Sequence, residues 1–103
     1  MNKKIREIIE NLDWSIYENE QGVELEKYSP AGEDFVFYVD KEDFIENVID
    51  YADNFDPDEH AKMWVENMHS VAGVPQSIRT LIQDADDIQA MLYELAEAIK
   101  KEY

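Results

Sequence analysis

The spacing of apolar residues changes once along this chain, near Asp40, and that change constrains the fold most. Before it the period is two. Trp14, Ile16 and Glu18 share one face of a run over 13–20, and Val23, Leu25 and Lys27 alternate with Glu24 and Glu26. That is how residues alternate on a half-buried strand. Gln21-Gly22 supplies a hairpin turn and Ser29-Pro30-Ala31-Gly32 a second break. Phe35-Val36-Phe37-Tyr38-Val39 is apolar on both faces, which predicts a central strand or one covered by a helix. Residues 13–40 read as a three-stranded antiparallel meander.

After Asp40 the period is 3.6. Asp40, with Asp43 three residues on, predicts a capped helix from Lys41 to Asn54. Asp56-Pro57-Asp58-Glu59 carries an N-cap, a proline at the first helical position and acids in the first turn, so a helix follows to about Met68. Gly73-Val74-Pro75 ends that region. Ser77 caps a short turn through Ile78, Leu81 and Ile82, and Asp84 with Asp87 starts a final helix through Ile88, Leu92, Leu95 and Ile99. Ile5, Ile8, Ile9 and Leu12 place a first helix over 3–11. The expected order is α-β-β-β-α-α-α, one α+β domain over residues 1–103 with the meander packed against the C-terminal helices. Trp14, Phe37, Val48, Trp64, Leu92 and Leu95 are its expected core.

Composition bears on partners. The chain holds 25 acids against nine Lys and Arg, a formal charge of −16 on 103 residues. From Glu33 to Glu59 eleven acids face one base, Lys41. Such a field repels nucleic acid and anionic membrane and attracts basic surfaces. Disorder is not its meaning, because 45% of residues are hydrophobic and the acids alternate with periodic apolar positions. A halophile's solvated surface is the bland alternative, although such chains are usually poorer in large apolar side chains. Without cysteine there is no disulfide, thiolate site or Cys nucleophile, which fits a reducing compartment. The first residues lack the apolar core of a signal peptide, and no run is long enough to span a bilayer. The cytoplasm is the expected location.

No catalytic constellation stands out. His60 and His69 have no histidine partner at i+4, three glycines build no phosphate loop, and abundant carboxylates make any acid pair uninformative. His60, one turn beyond Asp56, is expected to face acids that raise its pKa. Counted from Asp53 as a calcium loop, position three is Phe55, position six Asp58 and position twelve Trp64, so the EF-hand pattern fails. Neither enzyme activity, nor a metal, nor any other cofactor is expected. The tyrosines and tryptophans sit among charges of the wrong sign for stacking nucleic-acid bases. They are expected in the core or as interface anchors.

The stripe on the helix after Asp40 carries the functional reading. At 100° per residue Asp43, Glu46, Asp50 and Asp53 fall within roughly 80°, spread over about 15 Å of axis, with Phe44, Val48 and Ala52 opposite. Wet helix faces ordinarily mix Glu with Lys at i,i+4, a pairing that this face forgoes. With Glu42, Asp56, Asp58 and Glu59 these four form the expected phosphate surrogates, contacting a basic nucleic-acid-binding protein. The alternative is a solvated face with no role beyond solubility.

Phe55-Asp56-Pro57-Asp58-Glu59-His60-Ala61, then Gly73-Val74-Pro75-Gln76-Ser77-Ile78-Arg79 and Asp84-Ala85-Asp86-Asp87-Ile88, resemble a pattern in small acidic accessory proteins. These are carried by phages and conjugative elements alongside antirestriction proteins. The resemblance covers residues 55–99 and rests on caps, turns and helix faces. It implies a mobile-element setting in which such proteins inhibit restriction or CRISPR nucleases by occupying a DNA-binding groove, a DNA mimic in antirestriction or anti-CRISPR service. The expected function is therefore non-enzymatic inhibition of a DNA- or RNA-binding defence protein by a monomer or homodimer. The alternative is an accessory interaction module of a mobile element.

Overall fold

The computed structural model describes residues 3–30, 32, 34–68 and 78–102, with side chains described outside 64–68 and 78–81. The order is as expected: α1 (Lys3–Asn11), β1 (Ser15–Glu18), β2 (Val23–Tyr28), β3 (Asp34–Val39), α2 (Phe44–Asn54), α3 (Pro57–Met68) and α4 (Ile78–Glu102). The strands form one antiparallel sheet in the order β1-β2-β3. The fold is α+β.

Local chemistry sets the joints. α1 ends as Asp13 turns left-handed at φ 68°, with Asp13 N donating to Glu10 O at 3.0 Å and Trp14 N to Ile9 O at 3.3 Å. That is a Schellman cap, and it redirects the chain into β1. Asn19 Oδ1 accepts from the amides of Gln21 and Gly22, closing the first hairpin. Gly22 is required there by close approach, since a Cβ would lie 2.7 Å from the Val39 carbonyl oxygen. Gly32, at φ 88°, donates to Ser29 O and closes the second turn.

One face of the sheet is apolar and one is wet. Ile16, Val23, Leu25, Phe35, Phe37 and Val39 join Ile5 and Ile9 of α1, Val48 and Ala52 of α2, and Ile88, Leu92, Leu95 and Ile99 of α4 in a single core. Trp14, Phe37, Val48, Leu92 and Leu95 are buried as expected. The side chain of Trp64 lies outside the described residues. The opposite face of the sheet carries Tyr17, Tyr28, Val36 and Tyr38, all exposed.

Three expectations are corrected. β3 is not central: it is the sheet edge, with α2 covering only its inner face, and its residues alternate exposed and buried from Asp34 to Val39. A three-strand meander leaves its third strand at the edge whatever its composition, and connectivity outranked the apolar pattern. α2 begins at Phe44, not Lys41. Its N-cap is Asp43, not Asp40, in the left-handed conformation, φ 55°, with no capping bond from its side chain. The short turn and final helix are one 25-residue helix, α4. Neither Gly nor Pro interrupts Ile78–Glu102, and Asp84 is not a cap but a buried residue in the helix interior.

Candidate functional site

The acids after Asp40 are placed by two helix starts. Phe44, Val48 and Ala52 turn one side of α2 into the core, which leaves Glu46, Asp50 and Asp53 exposed on the other. Glu42 and Asp43 lie exposed in the turn before the helix, so the expected four-carboxylate helical stripe is three helical acids plus an N-cap. Asp56 caps α3, its Oδ1 accepting from the amides of Asp58 at 3.0 Å and Glu59 at 3.3 Å. Asp56, Asp58 and Glu59 are exposed. All eight expected surrogates therefore reach solvent.

Ion pairing is uneven across the molecule. Four cations pair away from these acids: Lys4 with Glu102, Arg6 with Glu10 and Glu18, Lys27 with Glu94, and Lys100 with Glu97. The exposed Lys41 and Lys62, which flank the acids in sequence, are in none of these pairs. Among the described residues no ion pair joins Glu42, Asp43, Glu46, Asp50, Asp53, Asp56, Asp58 or Glu59 to a cation. Their mutual repulsion is left to water and counterions to screen.

Between the free edge of β3 and the helices runs an open groove of about 970 Å³. Phe35, Tyr51, Phe55 and His60 supply its apolar part, and Asp34, Asp40, Asp50, Asp56 and Glu59 its charge. Among the described residues no Lys or Arg lines it. Three of the expected surrogates, Asp50, Asp56 and Glu59, belong to this groove, while Glu42, Asp43, Glu46, Asp53 and Asp58 lie outside it. Tyr51 stacks on Phe37 with centroids 4.3 Å apart and planes at 10°, and its half-burial raises the phenol pKa. Sequence reasoning missed the groove. Its signal was present in the meander itself, which puts an apolar strand at an edge.

His60 differs from expectation. Its ring meets Phe35 at 5.8 Å and Phe55 at 5.5 Å, and burial lowers its pKa, with Asp84 pulling weakly the other way. A lowered histidine pKa keeps the folded state neutral. Its contribution to stability is therefore complete above the unfolded value near 6.5 and declines as pH falls through that value. Against His60→Phe, the parent should lose more of its urea midpoint between about pH 7.5 and about pH 5.5, since carboxylate effects common to both cancel. Equal slopes for the two proteins would contradict this.

Ser29 and Asp84 form a second polar cluster. Both are buried, and Ser29 Oγ donates to Asp84 Oδ1 at 2.5 Å, tying the end of β2 to α4. The serine hydroxyl donates to the carboxylate, so the pair clamps the end of β2 to α4. Among the described residues no group of three or more His, Asp or Glu is placed to hold a metal ion. No helix among them is long and apolar enough to cross a membrane. His69 and the Gly73–Ser77 segment lie outside the described residues.

No family model matches the chain, and no curated protein or solved structure matches it.

Proposed function

We propose that this protein is a non-enzymatic inhibitor that imitates nucleic acid and occupies the basic groove of a DNA- or RNA-binding defence protein, a restriction or CRISPR nuclease, in the cytoplasm. The observation that carries the reading is a run of exposed carboxylates without ion pairs. Eight exposed carboxylates from Glu42 to Glu59 join no ion pair among the described residues, although the exposed Lys41 and Lys62 flank them in sequence. Carboxylates that make no ion pair within the chain are available to another protein's cations. The spacing suits that role: Glu46, Asp50 and Asp53 rise along α2 at roughly 5 Å intervals, near the charge spacing of a single strand. The resemblance of residues 55–99 to acidic accessory proteins of mobile elements supplies a setting in which such partners are met.

The test has opposite signs for stability and affinity. Asp43→Asn, Glu46→Gln, Asp50→Asn and Asp53→Asn together remove like charges from exposed positions, so unfolding free energy should rise by a few tenths of a kcal/mol per pair. Capture of a basic partner from lysate at low salt, and inhibition of its nuclease activity at physiological salt, should fall by more than about tenfold. A variant that binds and inhibits like the parent reduces the acids to a solvated face and favours an accessory interaction module.

A further inference from the structure

Among the described residues nothing pairs with the outer edge of β3. Sheet edges are ordinarily blunted by Lys, Pro, a bulge or a covering element. Asp34–Val39 contains neither Lys nor Pro, and its register with β2 runs without a bulge from Tyr28↔Asp34 to Val23↔Val39. Among the described residues no backbone hydrogen bond joins its outer edge to another element. Val36 is 40% and Tyr38 51% exposed. Beside this edge lies the groove, with Phe35, Tyr51 and Phe55 in its floor and carboxylates at Asp34, Asp40, Asp50, Asp56 and Glu59.

We infer that β3 takes up an extended, Lys- or Arg-bearing segment of a partner protein as a fourth strand of the sheet. Main-chain bonds to the free edge supply affinity, and alternate side chains supply selectivity. β3 has six residues, so about six residues of partner span the site, close to 20 Å. Every second partner side chain faces the groove. There a Lys or Arg lays its methylene stem over Phe35, Tyr51 and Phe55 and puts its charged head among Asp50, Asp56 and Glu59. The intervening side chains lie beside Val36 and Tyr38, where β-branched residues pack best. Charge decides against the other occupants. A second copy pairing edge to edge would bring two sets of these carboxylates together, and each chain carries −16. The inference rests on the reading of a basic protein partner and adds how that partner is held.

The probe is a capped heptapeptide of alternating Lys and Val, titrated into the full-length isotope-labelled protein at about 0.15 M salt. Amide shifts and slowed hydrogen exchange should concentrate on Asp34 to Val39, with side-chain shifts at Asp50, Asp56 and Glu59. N-methylation of alternate peptide bonds along the pairing edge leaves the charge unchanged and should weaken binding by about tenfold or more. Asp34→Asn with Glu59→Gln, both outside the four-site variant above, should weaken the unmethylated peptide. If the methylated peptide binds equally well, the acids act only as a polyanion and the strand-addition inference is overturned. It is also overturned if β3 pairs with a second copy once high salt screens the acids and the peptide leaves β3 untouched. The two readings fail separately. Loss of partner capture in the four-site variant with no effect of N-methylation sinks this inference alone, whereas unchanged capture in that variant sinks the mimicry.

Discussion

Replacing Trp14 by alanine should lower the unfolding free energy by about 3–5 kcal/mol, a large share of the 5–15 kcal/mol typical of a domain. The indole is 2% exposed and stands edge-on to Phe35 at 6.4 Å and Phe37 at 5.6 Å. Removing it opens a cavity at the centre of the sheet's inner face and strips both phenyl rings of their neighbour. Phenylalanine should behave differently. The buried Trp14 Nε1 has no hydrogen-bond acceptor among the described residues, and an unsatisfied buried donor costs about 1–3 kcal/mol. Trp14→Phe sheds that penalty while losing some contact area, so its net change should stay within about 1 kcal/mol. Urea denaturation of both variants, followed by far-ultraviolet circular dichroism, separates the contributions. A Trp14→Phe loss as large as that of alanine would mean the indole N–H is bonded in solution.

Ser29→Ala should cost about 1–3 kcal/mol, because it leaves the buried Asp84 carboxylate without a donor that now lies 2.5 Å away. The clamp joins positions 55 residues apart in sequence, so the loss should appear as a lower urea midpoint for the whole domain. Adding Asp84→Leu to Ser29→Ala removes the stranded charge as well. Replacing both partners of a buried polar contact by apolar groups is often near neutral. The double variant should therefore recover most of the loss. A double variant as unstable as the sum of its singles would show that Asp84 serves some other group more than Ser29.

The switch of period near Asp40 determined which segments are strands and which are helices, because side-chain direction alternates every two residues in one and every 3.6 in the other. Five of the six expected core residues follow from that periodicity alone. The cap of α3 was legible for a similar reason: Asp56 and Pro57 act within one turn, before any distant contact forms. The exposure of Glu46, Asp50 and Asp53 was legible too, since a helix that buries Phe44, Val48 and Ala52 has only one way to face. What periodicity could not carry was decided between elements. Asp84 carries the signature of a helix start, yet it sits inside α4, where Ser29 meets its carboxylate across the domain. His60 lies near acids in sequence, yet Phe35 and Phe55 enclose its ring, and desolvation outweighs the charge of Asp84. An apolar run such as Phe35–Val39 reads alike in the middle of a sheet or at its rim. The meander's tight turns already imply β3 at the rim, and only the packing of α2 and α3 beside it made that edge the border of an acidic groove. Hydrogen-bond partners of a strand are chosen by topology, and topology is a property of the whole chain.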